Sequence, residues 1–173
     1  MISRPALTAV LVLAAVAVMM LLEAALSRHN ERVLRVRGAI EPADDVYRWM
    51  QVAYPLAFVV MAVEGALQPV LPQDRLLWGI AVFTVAKGIK YWAISTLGPR
   101  WSFRVLVEPG APLVTTGPYR FLRHPNYLGV VGELAGVALM LSAPIAGTIA
   151  TLGFAVILWR RIRVEDRALG RHG

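Results

Sequence analysis

Pro5 to Leu22 is an apolar run without a charged residue. With Glu23 to Leu26 it reaches the roughly 20 residues that cross a bilayer, so it predicts a transmembrane helix. A secretory leader is the competing reading. Arg4 would give it a basic start, but the run is long for such a leader and no clean small-residue cleavage site follows, so a retained helix is expected. Ser27 to Arg48 is a polar stretch. Trp49 to Val70 is a second apolar segment, interrupted by Glu64. Gln68-Pro69 and Leu71-Pro72-Gln73-Asp74 mark a short turn. Arg75 to Leu97 is the third segment, with Lys87 and Lys90 in its second half, and Gly98 to His124 is a polar loop rich in Gly and Pro. Asn126 to Trp159 is too long for one crossing and barely enough for two. Ser142-Ala143-Pro144 lies near its centre, where Pro removes an amide donor and clashes with the preceding turn. Two short helices joined by a tight turn are expected, against one long kinked helix. Arg160 to Gly173 is a basic tail.

The pattern therefore predicts an all-α integral membrane protein of about five transmembrane helices, the last two forming a helical hairpin. The chain is expected to be one domain, with residues 1–97 holding three spans and 98–173 the loop, hairpin and tail. No internal repeat is visible. Hydrophobic residues make up 57% of the chain, above the roughly half of a soluble domain. The absence of cysteine excludes disulfides, thiolate nucleophiles and cysteine metal sites. A net charge of +7 would suit nucleic acid, but its distribution suits a membrane better. With five spans, Ser27–Arg48, Gly98–His124 and the tail share one side and carry 14 of the 18 Lys and Arg residues, leaving only Arg4 and Arg75 opposite. The positive-inside rule then puts the polar loops at the cytoplasmic face and the amino terminus outside, with no nucleic-acid partner.

Gly117 to Tyr127 concentrates the candidate chemistry. Pro118, Pro125 and Gly117 shape the backbone. Arg120, Arg123 and His124 are donors for an anionic group, and Tyr119 and Tyr127 offer ring faces to a nucleobase or a cation. The bland alternative is an interfacial anchor on lipid headgroups. Glu165 and Asp166, in a charge run beginning at Arg160, are either acceptors for ribose hydroxyls or an ammonium, or a solvated helix end. Glu23, Glu64, Lys87, Lys90 and Glu133 are ionisable groups in or beside spans, each needing a partner. Glu133 is open to two readings: a base facing the same cavity as Tyr127, or a structural ion pair with Lys87 or Lys90. Arg28-His29-Asn30-Glu31-Arg32, with Glu41 and Asp44-Asp45, either lines an entrance or is solvated. No dinucleotide fingerprint or phosphate loop is present. His29, His124 and His172 lack metal-ligand spacing, so no metal site is expected.

Leu113-Val114-Thr115-Thr116-Gly117-Pro118-Tyr119, followed by Arg123-His124-Pro125-Asn126-Tyr127-Leu128-Gly129, resembles the signature of the isoprenylcysteine carboxyl methyltransferase family. Ala143-Pro144 is similar to that family's turn between its last two helices, and Arg161 to Leu169 to its closing acidic motif. The resemblance covers roughly the last 65 residues. It implies an integral membrane enzyme that uses S-adenosylmethionine on a lipid-like acceptor entering from the bilayer. It assigns cofactor contacts to Val114, Gly117, Tyr119, His124 and Tyr127, and the cofactor's polar end to Glu165 and Asp166. Ala111, Asp166, Glu133 and the short tail depart from the eukaryotic pattern. Together with Arg28-His29-Asn30-Glu31 and Ser95 to Trp101, they resemble a bacterial branch that methylates hydroxyls of alkylresorcinols or alkylpyrones.

Methyl transfer from a sulfonium is an in-line displacement that needs positioning more than strong acid or base. A phenol or enol acceptor would gain from Glu133 as base, or from Arg123 stabilising the oxyanion. A carboxylate acceptor would need only a cationic clamp. Two other readings compete. Membrane sterol reductases using NADPH carry a similar Arg-His-Pro-Asn-Tyr-x-Gly segment but usually have Glu after the glycine, where this chain has Val130. A non-enzymatic membrane subunit would tolerate loss of His124 or Tyr127.

Overall fold

A computed structural model describes residues 3–170; His172 and the last residues of the tail lie outside them. Five α-helices carry the fold: α1 Arg4–Val36, α2 Tyr47–Ala66, α3 Gln73–Leu97, α4 Pro125–Met140 and α5 Pro144–Ala168. Single 3₁₀ turns lie at Gly98–Arg100 and Gly117–Arg120. Among the described residues the nearest thing to a sheet is one antiparallel bridge between Ile40 and Val107. By length and composition, α1, α2 and α5 are the helices long and apolar enough to cross a membrane. Many of their large apolar side chains face outward, among them Val10, Leu22, Val63 and Ile149, as lipid-facing positions do. The protein is an all-α membrane protein.

α1 does not stop where the polar residues begin. It continues through the expected loop to Val36, because Ser27 to Val36 contains no Gly or Pro to end it. Ser27, Asn30 and Leu34 fall on one face at helical spacing and are buried. Likewise α5 runs on through the expected tail to Ala168. At the centre of the last apolar stretch the chain makes two helices rather than one kinked rod. Ser142 takes a positive φ of 49°, the Ala143 amide closes the turn on the Ala138 carbonyl at 2.9 Å, and Pro144 opens α5, where its missing N–H costs nothing. The amides of Ile145 and Ala146, unpaired by position, donate to the Glu64 carboxylate of α2 at 3.2 and 2.6 Å.

α3 and α4 approach closely through glycines. A Cβ at Gly79 would lie 2.4 Å from the Met140 amide, and one at Gly136 2.8 Å from Phe83. Phe58 and Met61 of α2, Leu134 and Val137 of α4, and Phe154 and Leu158 of α5 form the centre of the apolar core.

Candidate active site

A strap of extended chain, residues 101–116, roofs one end of the bundle. Its apolar residues Trp101 and Val105 are buried, and its polar backbone is held from α1. The Asn30 side-chain amide donates to the Trp101 carbonyl at 2.8 Å. The Phe103 amide donates to the Ser27 hydroxyl at 2.8 Å, which donates in turn to Glu31 at 2.7 Å. Arg104 reaches Glu41 at 2.6 Å and lies over the Tyr47 ring, 4.7 Å from its centroid. Partial burial pushes the Glu41 carboxyl upward, but hydrogen bonds and charge from Arg104 and Arg35 outweigh this and hold it below its ordinary value.

Beneath the strap lies a cavity of about 760 Å³. The chain enters its wall through a turn at Gly117, whose φ is +56°; a Cβ there would meet the Thr96 hydroxyl at 2.5 Å. His124 then stands at the start of α4, and the His124 and Tyr127 rings stack with centroids 5.5 Å apart. Both contact the acidic pair of α5. His124 Nε2 lies 3.2 Å from Asp166 Oδ1, and its Nδ1 lies 3.7 Å from Glu165. The Tyr127 hydroxyl donates to Glu165 at 2.6 Å and accepts from Arg161 Nε at 3.1 Å. Arg161 and Glu165 are four residues apart and therefore share a helix face.

Of the residues singled out from the sequence, Val114, Tyr119, Arg123, His124, Tyr127 and Glu165 line this cavity. Asp166 stands behind His124 rather than on the wall, and Gly117 shapes the turn. Glu133 is fully buried beyond the wall. Its carboxylate lies 3.2 Å from both Lys87 and Lys90, while Glu23 pairs with the same lysines at 2.7 and 2.6 Å. Two carboxylates and two ammonium groups thus neutralise one another inside the bundle. The Tyr54 hydroxyl donates to Glu133 at 2.5 Å, and Tyr54, Lys90 and Glu23 line the cavity. From the sequence, Asp45 is only one of a set that lines an entrance or is solvated, Arg161 has no role of its own, and Tyr54 is not singled out. Arg161 sat in the charge run, which did mark it, whereas Tyr54 is an unremarkable aromatic in an apolar helix.

The residues fit a cationic, nucleoside-bearing cofactor. Glu165 and Asp166 supply negative charge suited to a sulfonium or ammonium. The His124–Tyr127 stack supplies an aromatic face. Asn126 Oδ1, on a residue of the same wall, is buried without a hydrogen-bond partner, an acceptor awaiting a donor. Arg28, also on the wall, suits a terminal carboxylate.

The isoprenylcysteine carboxyl methyltransferase (ICMT) family model matches residues 77–171. The uncharacterized protein YpbQ of Bacillus subtilis is 35% identical over 147 residues, covering 85% of this chain and 88% of that one. Protein-S-isoprenylcysteine O-methyltransferase A of Arabidopsis thaliana is 30% identical over 130 residues, 68% of this chain and 64% of that one. Protein-S-isoprenylcysteine O-methyltransferase of Mus musculus is 29% identical over 119 residues, 65% of this chain and 41% of that one. No solved structure gives a significant match. With the fold, the cavity and the matched segment in agreement, the chain belongs to the isoprenylcysteine carboxyl methyltransferase family, membrane enzymes whose methyl donor is S-adenosylmethionine.

Proposed function

We propose that this protein methylates an oxygen of a lipid-like acceptor, either a phenol or enol hydroxyl or a carboxylate, within the cavity beneath the strap. The observation that carries this reading is the make-up of that one cavity. His124, Tyr127 and Glu165 line it together with Ala17, Met20 and Leu21 of α1 and Pro55 of α2. Leu21 is 66% exposed, so the cavity wall reaches a surface that would face lipid. A water-soluble donor and an apolar acceptor can thus meet in one space.

S-adenosylmethionine, when bound, would supply an electrophilic methyl group, its sulfur being released as a neutral thioether. In this reading Glu165 faces the cationic end, with Asp166 steadying His124. Tyr119, Val114, His124 and Tyr127 bound the nucleoside, and Gly117 lets the chain turn close to it. Arg123 stabilises negative charge on the acceptor oxygen. For a hydroxyl acceptor the proton must leave as the new C–O bond forms. Tyr54 can take it while passing its own proton to Glu133, which makes Glu133 a base acting through the cavity wall. The isoprenylcysteine named in the relatives supports a carboxylate; Glu133, held at the Tyr54 hydroxyl, supports a hydroxyl. The arginines of Ser27–Arg48 and of the Gly98–His124 loop support a site at the cytoplasmic face with the amino terminus outside.

Calorimetric titration of the detergent-purified protein with S-adenosylhomocysteine, and separately with NADPH, tests the assignment. Saturable binding of S-adenosylhomocysteine alone is expected. His124→Ala and Tyr127→Ala should each abolish it while the helical content and melting temperature hold. Binding that survives both changes would remove this pocket as the cofactor site.

A further inference from the structure

Arg161 is 3% exposed, yet it belongs to a charge run whose neighbours Arg160 and Arg163 face outward. Its guanidinium joins four segments of the chain. From α5, Nε donates to the Tyr127 hydroxyl of α4 at 3.1 Å. Nη2 donates to the Phe103 carbonyl of the strap at 2.6 Å. Nη1 pairs with Asp45, between α1 and α2, whose side chain is itself 5% exposed. Asp45 is anchored in turn, accepting from the Tyr47 amide at 3.1 Å and the Val105 amide at 2.9 Å.

This geometry constrains the tyrosine. A phenol has one hydrogen to donate. With Arg161 Nε directed at the oxygen from one side, that hydrogen is left for Glu165, at 2.6 Å. Tyr127 thereby holds Glu165 at the cavity wall. A lysine at this position would keep the charge but could not reach three directions with a planar fork. Burying an arginine is costly without such partners, and only two of its three bonds secure the roof. The third goes into the site.

We propose that Arg161 is a positioning residue of the cofactor site: it fixes the Tyr127 hydroxyl and, through it, aims the Glu165 carboxylate at the cationic end of the methyl donor. The proposal rests on the cofactor reading above. The same guanidinium ties the strap to α5, so the roof of the cavity and the orientation of its acidic wall depend on one group.

The test is a double-mutant cycle read by calorimetric titration of the full chain with S-adenosylhomocysteine. Arg161→Lys is expected to weaken binding about ten- to a hundredfold, the range for losing a hydrogen bond to a charged group. Tyr127→Phe, which removes the hydroxyl and keeps the ring, is expected to weaken it comparably. The double variant should bind no worse than Tyr127→Phe alone, because Arg161 acts through that hydroxyl. Penalties that multiply, or an Arg161→Lys variant that binds like the unaltered protein, would overturn the proposal. If Arg161→Lys does not fold, Asp45→Asn supplies the same test from a residue off the cofactor wall. It should weaken binding in the Tyr127 background and not in the Phe background; equal effects in both would sink the idea. Failure of the unaltered protein to bind S-adenosylhomocysteine would instead refute the cofactor reading itself.

Discussion

Glu64 illustrates what a single carboxylate can do inside an apolar helix. It sits near the end of α2 and accepts from the two amides that open α5, at 3.2 and 2.6 Å. These amides have no partner within their own helix, and they carry the positive end of its dipole. Glu64→Ala should therefore lower unfolding stability by about 1–3 kcal/mol, measured by denaturant titration in detergent. An unchanged midpoint would show that water or lipid satisfies those amides as well. At the site, the grouping of His124 and Tyr127 with Glu165 and Asp166 was legible, since the two motifs fall on the same side of a hairpin hinged at Pro144. The role of Arg161 was not. Nothing in a run of mixed charge separates a guanidinium turned inward from those turned outward. Asp44 and Asp45 are adjacent and chemically alike, yet the side chain of Asp44 is 54% exposed and that of Asp45 is 5%. Each meets an arginine of α5, and the strap, through the Val105 amide, reaches Asp45.

Among the elements, α3 and α4 depend most on small residues. Gly79 faces backbone: an added Cβ would lie 2.4 Å from the Met140 amide and 2.7 Å from the Gly136 carbonyl. Backbone cannot swing aside as a side chain can, so the helices must part. Gly79→Ala is expected to destabilise by about 1–3 kcal/mol, the usual cost of overpacking. Gly88→Ala, on the same helix with open space at its Cβ, should be neutral or slightly stabilising, since alanine favours helix. Equal melting temperatures for the two variants would contradict this packing. The apolar segments and the break before Pro144 could be read from the sequence because hydropathy and proline act locally. The helical continuation of α1 to Val36 could not. The lack of Gly and Pro there permits a helix but does not require one: Ser27 and Asn30 read as loop residues by type, and the partners that hold them come from residues 98 to 103, far along the chain.

At the scale of the whole molecule, Glu23 of α1, Tyr54 of α2, Lys87 and Lys90 of α3 and Glu133 of α4 form one buried network. It is balanced in charge, which is how such groups persist within a bundle. Glu133→Gln leaves two lysines facing one carboxylate, so a lower melting temperature is expected. If Glu133 also accepts the acceptor's proton through Tyr54, turnover should fall further than S-adenosylhomocysteine affinity. Equal losses in both would leave it a structural ion pair, the other reading its sequence position allowed.

The unequal lengths of the helices carry a last consequence. α1 has 33 residues and α4 has 16, or about 50 Å against about 24 Å. A hydrocarbon core is about 30 Å thick. α1 exceeds that core, whereas α4 falls short of it and is not among the helices long and apolar enough to cross. If the proposed function holds, a site at the start of so short a helix would let a lipid's reactive head be methylated with little lifting out of the leaflet.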